Sequence, residues 1–246
     1  MRRWKNGCFV GVGVLALSSA IGSAWAWRAT RHVPDFYQRA LAVAPDELAK
    51  AATELETKIE KLEEEADEGQ WQARFTSEQV NAWLARHLTR EFPRLFPPGV
   101  SEPRVLLQGD RILAAARYQH RQWDTVVSIE ATLHLTDHPN VLQINILRVA
   151  AGSLVLPLAP FTAQISRIAA RSGLEVRWQD AVEQPAALVT VPCAHHQYDL
   201  RPMLLQTCEI CDGAVIMSGF SGEEAIESIG SLPRDYRLAL LQIHHE

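Results

Sequence analysis

Cys208-Glu209-Ile210-Cys211 is a C-x-x-C, and Cys193, His195 and His196 lie a short way upstream. Thiolates and imidazoles are the ligands of protein zinc, and a C-x-x-C at the start of a helix is a redox centre. Two features argue against both chemistries. Asp212-Gly213 follows at once and reads as a two-residue hairpin turn, so both cysteines belong to one strand and odd spacing sends their side chains to opposite faces. A second C-x-x-C or an H-x-x-x-H partner is also missing from the sequence. A disulfide from Cys193 to Cys208 or to Cys211 is the use that an oxidising compartment would favour. The doublets His195-His196 and His244-His245 read as solvated loop and tail residues, and Glu223-Glu224 and Asp235 have no argued partner. No G-x-S-x-G, P-loop, G-x-G-x-x-G or H-E-x-x-H occurs. No catalytic residue, metal ligand or cofactor is therefore nominated.

The elements that would position any site are better marked. From Val105 the apolar period is two: 105–108, a Gly109-Asp110 turn and 111–118 form a hairpin. Residues 125–136 then place Val127, Ile129, Ala131, Leu133 and Leu135 on one face, with Ser128, Glu130, Thr132 and His134 on the other. His138-Pro139-Asn140 turns the chain into 141–149, where Leu142, Ile144 and Ile146 face one way and Gln143 and Asn145 the other. Such alternation means antiparallel sheet with one wet face. A twelve-residue strand spans ~40 Å, and a long twisted sheet curls and needs its apolar face covered. The covering candidates are a helix over 77–90, with Val80, Trp83, Leu84 and Leu88 on one face, and another over 160–172, with Phe161, Ile165, Ile168 and Ala169 on one side. The first carries a capping box, Thr76 with Gln79, and a hydrophobic staple, Phe75 with Val80. Strands resume at 188–191, 203–210 and 214–218.

Composition bounds the rest. The chain has 246 residues, 47% apolar and 22% charged, which excludes a disordered, collagenous or disulfide-scaffold protein. The net charge of −5 argues against a general nucleic-acid binder, and it is local. Residues 46–68 hold ten acids and three Lys, a charge of −7 that leaves +2 for the remainder. That acidic stretch lies in a helix over about 36–66, broken near Pro45, in which Leu48, Ala52, Leu55, Ile59, Leu62 and Ala66 form one narrow apolar seam. At the N-terminus, Arg2, Arg3 and Lys5 precede residues 6–27, a run without charge that would span ~33 Å as a helix, close to the ~30 Å bilayer core. Trp4, Trp25 and Trp27 would sit at its interfaces. The rival reading is a signal peptide cleaved near Ala26 at Ala24-Trp25-Ala26. Both deliver the body across the membrane.

Several segments together resemble the YpmS-like family of uncharacterised, membrane-anchored bacterial proteins. They are the N-terminal apolar run, the helix start Phe75-Thr76-Ser77-Glu78-Gln79-Val80-Asn81-Ala82-Trp83-Leu84, the phrase Ala151-Gly152-Ser153-Leu154-Val155-Leu156-Pro157-Leu158, and the late Asp212-Gly213 hairpin. The resemblance covers about residues 72–220 and implies kinship with tubular (TULIP-like) lipid-binding folds, in which acyl chains lie between a long curled sheet and a helix. It carries over no functional residue.

The expected architecture is α+β: an anchor or signal segment at 1–30, an acidic helical spacer at 31–70, a body at 71–222 with a curled antiparallel sheet under two amphipathic helices, and a tail at 223–246. The expected function is a membrane-anchored extracytoplasmic binding or scaffold protein for a lipid or other apolar ligand. Two alternatives stand beside it: an assembly component recruiting protein partners through the acidic and membrane helices, and an extracytoplasmic metalloenzyme using Cys193, His195, Cys208 and Cys211.

Overall fold

Pro45 divides the N-terminal part of the chain as expected. In the computed structural model, which describes residues 28–67, 69–88, 96–121, 123–171, 174–179, 185–191 and 203–225, α1 is Asp35–Leu41 and α2 is Pro45–Asp67. Pro45 takes the first helical position, where its missing N–H costs no hydrogen bond, and Asp46 and Glu47 follow at the positive end of the dipole. Strand β1, Gln70–Thr76, leads into α3, Ser77–Trp83, whose end widens into a π-turn at Leu84–Leu88. The capping box read from the sequence is formed: Gln79 N donates to Thr76 Oγ1 at 3.4 Å, and Thr76 N donates to Gln79 Oε1 at 3.2 Å. Along its seam α2 packs on α3 and β1, burying Ala52 and Leu55, while Glu47, Glu54, Glu56 and Glu60 stay in solvent.

The chain then turns to sheet. Strands β2 (Val100–Gln108), β3 (Arg111–His120), β4 (Trp123–Leu135), β5 (Val141–Ala151) and β6 (Leu154–Leu156) precede helix α4, Ala159–Arg171. Strands β7 (Glu175–Gln179), β8 (Ala186–Thr190), β9 (Met203–Cys211) and β10 (Ala214–Ser221) follow. The protein is α+β, with one large antiparallel sheet of seven strands in the order β2-β3-β4-β5-β8-β7, β6 pairing with β5. This sheet does not close; β2 and β7 are its edges. A second sheet has the order β1-β10-β9. The membrane segment expected at 6–27 lies outside the described residues, and among those no helix is long and apolar enough to cross a membrane.

The two sheets share no ladder, so their junction relies on side chains that stand in for backbone. Asn140, fully buried at φ 56° in the β4–β5 turn, donates from Nδ2 to Met203 O at 2.8 Å and accepts at Oδ1 from Leu205 N at 2.7 Å. Asn81 on α3 repeats the device on edge strand β2, donating to Val105 O and accepting from Val105 N, both at 2.8 Å. Ser77 Oγ accepts from Leu107 N at 2.9 Å, and Ser77 N donates to Gly213 O in the β9–β10 turn at 3.1 Å. Here the structure departs from the sequence expectation. Helix α3 buries Ser77, Gln79, Asn81 and Ala82, while of the expected apolar face Leu88 is buried and Val80, Trp83 and Leu84 are half-buried. The reason is that α3 lies against a sheet edge, whose unpaired N–H and C=O groups demand polar partners.

A third junction ties the start of the described chain to the sheet. Residues 28–30 are helical and sit where β4 runs on past the end of β5. Ala29 O accepts from Ser153 N at 2.9 Å and from Ser153 Oγ at 3.2 Å, and Thr125 Oγ1 donates to Thr30 O. Gly152, at φ 60°, makes room for this: a Cβ there would overlap the backbone of Ala29 and Thr30. Beyond it α1 covers the opposite side of the sheet, where Tyr37, Ala115 and Val126 form a buried cluster with Val33 and Phe36 against it.

Two stability predictions test these junctions by denaturant melts of the full chain. Gly152→Ala should cost roughly 2–4 kcal/mol, combining a left-handed backbone with a backbone clash. Gly109→Ala, at φ 61° with open space around its Cβ position, should cost only about 1 kcal/mol. Asn140→Ala should cost roughly 2–4 kcal/mol, because the Leu205 N–H is left buried and unbonded; equal melts for Asn140→Ala and wild type would remove the amide from its role.

Candidate functional site

The register of β3, β4, β5, β8 and β7 assembles one face from side chains that the alternation in the sequence had already sorted. Across the sheet, Ala114 pairs with Ile129 and Ile129 with Val149; Leu133 pairs with Ile144, Ile144 with Ala187 and Ala187 with Trp178. One row further on, Leu135, Leu142, Val189 and Val176 stand in line. Residues two apart on a strand share a face, so these rows and their neighbours Ile112, Val127, Ala131 and Ile146 form one continuous apolar surface. A bulge keeps it continuous. Glu130 pairs with Arg148 but Ala131 with Ile146, so Leu147 is extra and Val149 returns to the face of Ile146.

Most of this face is neither exposed nor buried. Ile112, Ala114, Val127, Ile129, Leu133, Leu135, Leu142, Ile144, Ile146, Val176 and Trp178 are half-buried, whereas Ala131, Ala187, Val149 and Val189 are buried. The helices expected over the sheet lie at its two edges: α3 packs on β2 and α4 on β7. Trp178 Nε1 donates to Ser166 Oγ at 2.9 Å and fixes α4 there, with Phe161, Ile165, Ile168 and Ala169 half-buried. At the C-terminal end of β4, an open cleft of about 520 Å³ separates Leu133 and Leu135 from Cys208 and Ile210 of β9, with His134 and Glu209 at its polar margin. Trp178 and Val176 belong to a strand that the sequence reading does not mark; Glu175-Val176-Arg177-Trp178-Gln179 alternates, and that is the signal that places them.

The opposite face is polar as expected. Arg111 Nη1 is bonded to Glu130 Oε1, and Arg117 grips Asp124 with two bonds, Nε to Oδ1 at 2.9 Å and Nη2 to Oδ2 at 2.7 Å. The Arg117 bonds hold the Asp124 carboxyl below its ordinary value. Asn145 links Gln143 to Thr132 through side-chain bonds of 2.8 and 3.3 Å. A smaller cleft of about 220 Å³ on this side is lined by His32, Phe36, Leu113, Glu130 and Arg148.

Of the residues with chemical potential, Cys208 and Cys211 both lie on β9 and face oppositely, Cys208 buried and Cys211 exposed. Burial raises the Cys208 thiol, and the hydrogen bond with Asp212 raises that of Cys211. A reactive thiol needs the reverse shift. Cys193, His195, His196, Asp235, His244 and His245 lie outside the described residues, and Glu223 and Glu224 are exposed. Among the described residues no three His, Cys, Asp or Glu side chains gather as metal ligands do. Comparison with known proteins finds no family model, no curated protein and no solved structure that matches the chain.

The thiol environment is open to a direct check. Alkylation of the folded chain, read by peptide mass spectrometry, should reach Cys211 but not Cys208. Because the Cys211 thiol is raised, its rate should reach half of its plateau at a higher pH than the roughly 8.5 at which an ordinary thiol is half ionised. Asp212→Asn keeps a residue suited to the left-handed turn and should shift that profile to lower pH; an unchanged profile would separate Asp212 from the thiol.

Proposed function

We propose that the chain is a membrane-anchored, extracytoplasmic binding protein that holds a lipid or other apolar ligand on the apolar face of the seven-stranded sheet. The observation that carries this reading is the row structure of that face. Apolar side chains, half-buried on β3, β4, β5 and β7 for the most part and buried on β8, run across the five strands without a polar interruption, between helices at the two edges. A core interior would bury such residues fully, and a solvated outer face would carry polar ones in their place. A half-covered apolar trough is what a long acyl chain needs, since each buried methylene contributes about 0.8 kcal/mol without any directional bond. The resemblance to the YpmS-like family and its tubular lipid-binding relatives points the same way, and the apolar run at 6–27 supplies the anchor. In this reading the sheet is the wall of the trough, and α3 and α4 bound it at its two edges.

The reading has no catalytic component. The two described cysteines point away from each other, and their thiols are raised, so a metalloenzyme finds no support in them.

The test is the lipid carried by the full chain, extracted from its membrane without detergent and analysed by mass spectrometry. Lipid surrounding the anchor is common to all variants, so the informative comparison is wild type against Ile144→Lys, a charge placed in the centre of the face. An unpaired charge in an apolar site costs several kcal/mol, so the excess lipid should fall at least about tenfold while the circular dichroism stays unchanged. Equal lipid in the two folded proteins would overturn the proposal.

A further inference from the structure

Among the described residues, Trp123 and Val155 are the large apolar side chains most open to solvent, 60% and 61% exposed, against 36% for Leu41 and 37% for Ile59. They stand on opposite faces, Trp123 in line with Thr125 and Val127 on the apolar side and Val155, through Ala150, in line with Ser128 on the polar side, but both strands reach one junction. Thr125, two residues from Trp123, bonds Thr30, and Ser153, two residues from Val155, bonds Ala29. Both therefore flank the point at which the chain arrives from residues 1–27. Arg28, Arg31 and Arg121 are exposed around the same point. Arg31 follows Thr30 directly in the chain, and Asp124, next to Trp123, is paired with Arg117.

We infer that Trp123 and the arginines 28, 31 and 121 form an interfacial surface by which the body lies against an anionic lipid bilayer. An indole prefers the headgroup level, where its ring is half desolvated and its N–H keeps a polar partner. Arginines beside it are drawn to anionic headgroups within a Debye length of the surface. The occupant follows from where the undescribed chain leads: the charge-free run 6–27 ends one residue before Arg28, inside this patch. The bonds at Ala29 and Thr30 fix the body to the end of that run, so the patch meets the bilayer that the run enters. This inference shares with the proposed function the reading of 6–27 as a membrane segment, but it concerns the end of the sheet at Trp123 and its arginines and not a ligand held along the apolar rows.

The experiment uses full-length chain in vesicles of phosphatidylcholine and phosphatidylglycerol at 7:3, with p-benzoylphenylalanine in place of Trp123. Illumination should give a lipid adduct at position 123. The same group in place of Ile59, on the acidic helix, should give none. In the Trp123-labelled chain, Arg28→Gln, Arg31→Gln and Arg121→Gln together should reduce the adduct about fivefold or more, as should vesicles of phosphatidylcholine alone. Adducts of equal yield at 123 and 59, or none at 123, would overturn the inference. Alkaline carbonate extraction reports on 6–27 independently. A chain released by carbonate that still forms the adduct at 123 would refute the anchor and uphold the surface, while a retained chain without the adduct would do the opposite.

Discussion

Two sheets that share no strand can form one body only if something other than a ladder answers the backbone groups where they meet. Here that role falls to three short polar side chains. Asn140 offers its amide to both Met203 and Leu205, as an extra peptide unit would, and thereby holds β9 to the turn between β4 and β5. Asn81 does the same for Val105, and Ser77 serves Leu107 of β2 and Gly213 of the small sheet at once. Each is buried, so each bond is made in a low-dielectric setting where an unmade one would be costly. The placement of the apolar face follows from these bonds. They set β9 across the end of β4 and leave the middle of the large sheet between elements rather than beneath them.

What the sequence made legible was whatever depended on local period. The alternation in 125–136 and 141–149, the Asp212-Gly213 hairpin and the Thr76–Gln79 capping box each rest on a few neighbouring residues, and each is present in the structure. The opposite facing of Cys208 and Cys211 was legible for the same reason. Strands β1 and β7 were not, although both alternate. At five to seven residues, beside helix signals, a strand depends on its partner for its identity, and a partner distant in sequence leaves no local trace. The buried face of α3 was misjudged on similar grounds. Apolar spacing assigned it to Val80, Trp83 and Leu84, but the neighbour is a strand edge and not a sheet face, so polar residues won.

The same distinction divides the candidate site. Its members on β4 and β5 could be written down from alternation alone, whereas Val176 and Trp178 join only through pairing with β8. The bulge at Leu147 is also invisible to simple period, yet without it Val149 would fall on the polar face. The arginine pairs of that polar face, Arg111 with Glu130 and Arg117 with Asp124, lie on adjacent strands and follow from the hairpin once it is known.

Strand β2 is the edge of a sheet with a broad apolar face, a combination that invites a second copy to add its own strand and continue the sheet. The residues that join the sheets close this route. Asn81 occupies both backbone groups of Val105, and Ser77 takes the N–H of Leu107. Pro103 has no N–H to offer, the ladder to β3 slips between Ser101 and Arg104, and Arg104 folds its guanidinium onto the carbonyls of Ala40 and Pro103. The edge is sealed along much of its length. A chain with a broad, half-buried aliphatic face is thus kept from adding strands at this edge by the bonds that hold its halves together.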